Sequence, residues 1–215
     1  MCVIEDSLPE NYYCFLRKDL IDLVPPGFRS VLEVGCGDGK NAAYLREKGA
    51  TYIAGIELSC SHGEIAATRM DEVFIGSVEG DLPNWLLNRE FDLVICGDVL
   101  EHLIDPWRTL RRLRNVISSS GYLLASIPNI RHYSVVKELV LRGRFQYVSA
   151  GLLDRTHLRF FTKREIIELL DNSQYKIVNW SHSPISRRDS LISRITFGRF
   201  DGFLTYQYYV LAQKK

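Results

Sequence analysis

The stretch VLEVGCGDGK, Val31 to Lys40, limits what this chain can fold into more than any other part of it. A short apolar run is followed by glycines at alternate positions, Gly35, Gly37 and Gly39. A strand that ends this way turns sharply. Glycine enters positive φ without a steric penalty and lets another group come close to the backbone. Asn41 to Lys48 then reads as a helix that begins in the turn, and Thr51 to Ile56 as a second strand that ends at Glu57.

The same alternation runs on to about residue 130. A helix fits residues 60–70, and EVFIGSVEGD carries a third strand. FDLVICGD (91–98) is a fourth, apolar through its middle as a strand covered on both faces should be. Pro106 opens a basic amphipathic helix to about Val116, and GYLLASIPN (121–129) is a fifth strand. Strands alternating with helices argue for a parallel sheet covered on both sides, with right-handed connections and ligands beyond the carboxyl ends of the strands. After Asn129 the rhythm changes. RHYSVVKELVLRGRF reads as a helix ending near Gly143, and the aperiodic QYVSAGLLDRTHLRFF follows. Thr162 and Glu165 form a capping box for a helix over 163–171. YKIVNW is a sixth strand, and 203–213 holds a last one. An apolar helix over 10–24 is stopped by Pro25, Pro26 and Gly27. Residues 182–202, with Arg187, Arg188, Arg194 and Arg199, fit a loop, a dimer contact or a membrane-surface patch.

Composition removes several classes. The 215 residues are 46% hydrophobic and 25% charged, which excludes a disordered chain. No apolar run reaches the roughly 18 residues of a membrane helix, and the first ten residues lack the layout of a signal peptide. The five cysteines, Cys2, Cys14, Cys36, Cys60 and Cys96, show no paired or zinc-like spacing, so reduced thiols, a cytoplasmic location and no metal are expected. Residues 1–130 carry 12 Lys and Arg against 19 acids, a net of −7, and the remainder 15 against 7, a net of +8. The basic part suits an anionic partner or, equally, a solvated face. Nucleic acid is not expected as a target, since no basic, aromatic-interleaved run is present.

The glycine turn points helix amides and a partial positive charge into the gap beyond the strand. Glu57, 20 residues after Gly37, is placed to accept hydrogen bonds from both hydroxyls of a ribose. The spacing is GxGxG rather than GxGxxG, and Glu33 precedes the turn at the same mouth. A carboxylate there would repel a pyrophosphate but would help an ammonium group. That tilts the reading from a dinucleotide toward S-adenosylmethionine.

With VLEVGCGDG (31–39), GIELS (55–59), EGDL (79–82) and FDLVICGDVLEHLIDP (91–106) in this order, the chain resembles the class I S-adenosylmethionine-dependent methyltransferases over nearly its whole length. GLLDRTHLRFFT (151–162) resembles a subgroup linked to sugar or polysaccharide pathways. The resemblance implies a Rossmann-like, doubly wound α/β fold. Its mostly parallel seven-stranded sheet carries helices on both faces and a small helical and loop cap. It implies one domain: 1–27 as N-terminal helix and linker, 28–129 as cofactor-binding core, 130–161 as cap insertion, and 162–215 as C-terminal helix and strands. It implies that Glu33, Gly35, Cys36, Gly37 and Gly39 hold the methionine part of the cofactor. Glu57 would hold the ribose with Leu58 beside the adenine, and Asp81 with Leu82 the adenine amine. Cys96, Gly97 and Asp98 would wall the donor methyl with His102 nearby, Tyr12 and Tyr13 would close over the cofactor, and Arg17 would meet its carboxylate. Residue by residue, plainer roles also fit: a helix N-cap for Asp81, space-filling for Cys36 and Cys96, packing for the tyrosine pair.

Methyl transfer from a sulfonium is an in-line displacement whose main demand is alignment. A hydroxyl acceptor also needs a base, and His102, His132, Asp154 and His157 are the candidates. A cap network of Asp154, Arg155 and His157 is the structural counter-reading, and Arg155 with Arg159 suits a clamp on an anionic acceptor. The expected activity is methyl transfer to a hydroxyl or amine of a small molecule or sugar precursor, leaving S-adenosylhomocysteine. A nicotinamide-dependent oxidoreductase and a non-catalytic S-adenosylmethionine-binding protein stand as alternatives, and the oligomeric state is open.

Overall fold

The computed structural model describes residues 16–183 and 186–215, with 187 and 188 as backbone only. Seven strands form one sheet in the order β3-β2-β1-β4-β5-β7-β6. They are β1 (Ser30–Val34), β2 (Tyr52–Glu57), β3 (Glu72–Ile75), β4 (Phe91–Gly97), β5 (Ile117–Pro128), β6 (Tyr175–His182) and β7 (Gln207–Lys214). The first five pair in parallel, and β7 runs antiparallel between β5 and β6. The helices are α1 (Lys18–Ile21), α2 (Asn41–Glu47), α3 (Cys60–Ala66), α4 (Asn84–Leu87), α5 (Pro106–Val116), α6 (Tyr133–Arg142), α7 (Lys163–Asn172), α8 (Arg187–Ile195) and α9 (Asp201–Leu204). A 3₁₀ turn covers Leu100–His102.

Period-two alternation on the strands sorts the core into two layers. Val31, Ile53, Leu93 and Ile95 face one side, where Leu20 and Ile21 of α1, Leu45 of α2 and Ala66 of α3 cover them. Leu32, Ala54, Val94 and Cys96 face the other, under Leu86 of α4, Leu110 and Leu113 of α5, and Ile166 and Leu169 of α7. Each such fully buried aliphatic side chain contributes about 1.5–3 kcal/mol. This is the doubly wound, mostly parallel sheet that the sequence implied.

Local signals account for several helix ends. Asp105 caps α5 by accepting from the Arg108 N–H at 2.9 Å, with Pro106 in the first turn. The capping box of α7 is present, Thr162 N–H donating to Glu165 Oε2 at 3.1 Å. Gly143 ends α6 in the left-handed region at φ 61.

Four expectations change. The helix expected over 10–24 is α1, Lys18–Ile21, among the described residues; the earlier part lies outside them. Residues 187–195 form α8, capped where Ser186 Oγ accepts from the Asp189 N–H at 3.1 Å. Its apolar positions, Leu191, Ile192 and Ile195, stand at helical spacing but are outnumbered by the surrounding arginines and serines. The last strand begins at Gln207, as 201–204 coil into α9. Cys36 and Cys96 are free thiols, but Cys60 is disulfide-bonded, which corrects the expectation of reduced thiols throughout. No helix among the described residues is long and apolar enough to cross a membrane.

Asn129, fully buried just past the end of β5, ties the sheet to the segment that precedes β7. Its Nδ2 donates to the carbonyls of Gly202 at 2.9 Å and Thr205 at 2.7 Å, and its Oδ1 accepts from the Arg131 N–H. Asn129→Ala would leave buried carbonyls without donors. We expect a loss of about 2–3 kcal/mol in urea unfolding, with the far-ultraviolet spectrum of the native state retained.

Candidate active site

The parallel register brings the ends of β1, β2 and β4 to one edge, with Val34 opposite Ile56 on one side and Cys96 on the other. The chain leaving β1 folds back over β2. Gly35 and Cys36 N–H both donate to Ile56 O, at 2.8 and 3.2 Å, and Gly37 N–H donates to Glu57 Oε2 at 2.7 Å. The other Glu57 oxygen accepts from Ser59 N–H at 2.9 Å. Gly35, Gly37 and Gly39 have φ of 67, 51 and 70, so the turn uses the left-handed freedom of all three. At Gly35 a Cβ would also lie 2.7 Å from Val99 Cγ2. Gly55 on β2 is needed for room alone, as its Cβ would lie 2.6 Å from Cys36 Sγ.

Glu33 and Glu57 are both buried on the α1–α3 side of the sheet. Glu33 Oε1 accepts from Asn41 Nδ2 at 2.5 Å, whereas Oε2 is buried with no hydrogen-bond partner among the described residues. Burial pushes the Glu33 carboxyl up to about 7; the Asn41 bond and the Arg17 charge oppose this, and Glu57 adds to it. A buried carboxyl with one unpartnered oxygen beside a glycine cradle fits a ligand that brings an ammonium group. Glu57, at the tip of β2, is the group that would accept from ribose hydroxyls.

On the other flank Arg17 forms an ion pair with Asp98, which stands just past β4 at φ 56. Gln207 Nε2 donates to the second oxygen of Asp98, and Arg17 N–H donates to Asn41 Oδ1 at 2.9 Å. Ser126 Oγ accepts from Asp98 N–H at 3.0 Å. Arg17, placed by the resemblance near the cofactor carboxylate, is therefore held at this edge by Asp98.

Beyond β4 the 3₁₀ turn meets the segment 152–159. The Leu158 and Arg159 N–H groups donate to Glu101 O at 2.8 and 2.9 Å. This sets the His102 and His157 rings edge to face, with centroids 4.7 Å apart. His102 Nδ1 lies 3.2 Å from Thr156 O, and His157 Nδ1 lies 3.2 Å from Leu152 O. Burial lowers the pKa of both, and at His102 the neighbouring His157 lowers it further, so both are neutral near pH 7. Asp154 is buried and its Oδ1 accepts from Thr156 N–H and Oγ1–H, at 2.8 and 2.7 Å.

Other expected residues fall elsewhere. Tyr12 and Tyr13 lie outside the described residues. Leu58 is exposed and Leu82 is part of the core layer beneath α5. Asp81 is exposed and does not cap α4, whose N-cap is Pro83. The turn after β3 still lies beside the site, because Gly76 N–H donates to Glu57 O at 2.8 Å. Cys96 fills space in the core, burial pushing its thiol up to about 12, and burial raises Cys36 as well, so neither acts as a nucleophile. Gly97 ends β4 next to Arg17. His132 caps α6, with Nδ1 2.8 Å from Ser134 Oγ. Arg159 donates to Ile104 O and lies over Trp107, with its Nε buried and without a partner among the described residues. Three residues were not foreseen: Asn41, Gln207 and Glu101. Asn41 opens the helix after the glycine turn and Glu101 adjoins His102, so position alone marked both. Gln207 comes from the last strand and carried no signal.

The raised Glu33 pKa has a sign. Between 4.5, its ordinary value, and about 7, the folded state holds a proton that the unfolded state has lost, so stability falls as pH rises through this window and the penalty is complete above it. It amounts to at most about 3 kcal/mol. Glu33→Gln is expected to unfold at a higher temperature than the wild type at pH 8, with the difference shrinking toward pH 5, as differential scanning calorimetry would show.

A family described as a methyltransferase domain matches residues 9–179. Ubiquinone biosynthesis O-methyltransferase from Shewanella pealeana is 24% identical over 186 residues, 80% of this chain and 75% of that one. The protein of the same name from Paracidovorax citrulli is 30% identical over 196 residues, 82% of this chain and 77% of the other. Among solved structures, an S-adenosylmethionine-dependent methyltransferase from Archaeoglobus fulgidus superposes with a TM-score of 0.67 at 16% identity, covering 91% of each chain. Magnesium protoporphyrin IX methyltransferase from Synechocystis PCC 6803, with bound S-adenosylhomocysteine, gives 0.59 at 18%, covering 91% of this chain and 78% of its own. These matches set aside the oxidoreductase and non-catalytic alternatives. A carboxylate-flanked glycine turn on this strand order, together with the family match over most of the chain, makes the protein a member of the class I S-adenosylmethionine-dependent methyltransferases.

Proposed function

We propose that the protein methylates a hydroxyl group of a small molecule. The observation that carries this reading is the edge-to-face pair of neutral imidazoles, His102 half-buried just beyond β4 and His157 buried against it. A hydroxyl must lose its proton as it attacks, and groups that bind or take a proton near neutrality serve that need. An amine need only arrive unprotonated and would have little use for them. The names of the relatives from Shewanella pealeana and Paracidovorax citrulli, both O-methyltransferases, support the same reading.

S-adenosylmethionine, when bound, supplies a methyl group on a positively charged sulfur. Glu33 would hold its ammonium group, Glu57 its ribose, and the amides of the glycine turn the remainder of the methionine part. Arg17 and Asp98 would close one side of the mouth. The cap over 130–161 would enclose the acceptor, with His102, His157 and Asp154 against its hydroxyl. Sugar hydroxyls belong to this acceptor class, and an anionic acceptor would meet the basic C-terminal third.

The test uses S-adenosylmethionine with an isotopically labelled methyl group and a pooled set of phenols, sugars, aliphatic alcohols and amines. Label is expected in hydroxyl compounds only, with release of S-adenosylhomocysteine. Label confined to amines would refute the reading. Glu57→Ala should weaken S-adenosylhomocysteine binding by at least about tenfold in calorimetry, from the loss of charge-assisted hydrogen bonds worth about 1.5–3 kcal/mol.

A further inference from the structure

We propose that Glu101, His102 and His157 bind a divalent transition-metal ion, of the zinc, cobalt, iron(II) and manganese(II) class, which holds the acceptor hydroxyl. One donor atom from each of the three lies within 4.8 Å of the others. Ligands sharing an ion at bonds of about 2.1 Å stand roughly 3–3.5 Å apart, so the cluster closes by at most about 1.5–2 Å on binding, within the reach of side-chain rotation.

The independent observation is Glu101. Its side chain belongs to a residue 1% exposed, and both carboxylate oxygens are buried with no hydrogen-bond partner among the described residues. Burying a carboxyl this way is costly unless a cation or donor meets it. The turn cannot release it, because Glu101 O is clamped by the Leu158 and Arg159 amides. Asp154 Oδ2 is likewise buried and without a partner among the described residues.

Each ring is fixed through its Nδ1. A backbone carbonyl accepts only, so Nδ1 of each ring carries the proton it gives to Thr156 O or Leu152 O. That donation places the lone pair of each neutral ring on Nε2, the arrangement that outer-shell bonds impose on metal-binding histidines. Two imidazole nitrogens and one carboxylate suit borderline transition metals, whereas magnesium and calcium prefer all-oxygen sites. The expectation of no metal came from cysteine and histidine spacing along the chain, and His157 is 55 residues from His102, beyond any such pattern.

Three protein ligands leave positions for the acceptor. A hydroxyl bound to such an ion ionises near neutrality, as bound water does. With both imidazoles engaged by the ion they serve the hydroxyl through the metal and not as bases; the acceptor oxygen gives its proton to solvent and attacks the methyl carbon. The O–C bond forms as the C–S bond breaks, and the sulfonium becomes a neutral thioether. The metal keeps its oxidation state.

This inference rests on the hydroxyl-methyltransferase reading, and its test separates the two. The full-length protein is stripped with a chelator and titrated with Co²⁺, Zn²⁺ or Mg²⁺. Binding is read by equilibrium dialysis and by the visible absorption of Co²⁺. One equivalent of Co²⁺ or Zn²⁺ is expected, with weak Mg²⁺ binding, and Glu101→Gln and His157→Ala should each weaken it more than about 100-fold. S-adenosylhomocysteine affinity and circular dichroism report on folding, and His157→Asn substitutes for any variant that fails them. Absence of stoichiometric Co²⁺ and Zn²⁺ binding, or binding unaffected by these substitutions, overturns the site. Hydroxyl methylation undiminished in the stripped protein overturns the metal and leaves the function standing. Metal bound as described, with labelled amines as the only products, supports the site and overturns the function.

Discussion

One contact organises the catalytic edge: the Glu57 carboxylate accepting from the Gly37 amide across 20 residues of chain. It needs β1 and β2 in parallel register, so that the end of one strand reaches the end of the other. It needs three glycines in the left-handed region so that the amide can point back. Once formed, it fixes where α2 begins, and with it Asn41, which bonds both Glu33 and the Arg17 backbone. A cofactor cradle is the by-product of satisfying one buried carboxylate with backbone donors.

The edge is crowded with acids. Glu33, Glu57, Asp98, Glu101 and Asp154 come from five separate places in the chain, and four of them are buried. Arg17 is the cation that meets them directly, through Asp98. Such a concentration of buried carboxyl groups lowers stability, because each loses hydration that its neighbours do not restore. It is the price of a site built for positively charged ligands. The orphaned oxygens of Glu33 on one flank and Glu101 on the other mark two places where positive charge would relieve it. A methyl donor carrying an ammonium and a sulfonium would answer the first under the proposed function.

Much of this was legible beforehand. The β1 to α2 turn, the alternation of strands and helices in the parallel half and the capping box of α7 rest on local chemistry, and local chemistry is written in adjacent residues. Glu33 and Glu57 stood out because their spacing from the glycines is short. Gln207 did not, since it reaches Asp98 from a strand 109 residues away. Leu82 turns into the core layer under α5, a choice made by packing rather than by sequence position.

The sequence by itself determined the architecture, the glycine cradle and its two acids, because period-two and helical repeats, positive-φ turns and strand-end carboxylates are properties of short segments. Only the tertiary structure decided which acids go unpaired and which histidines meet. Glu101 and His157 become neighbours when the backbone of 158–159 bonds the 3₁₀ turn after β4, and no local preference encodes that long-range closure.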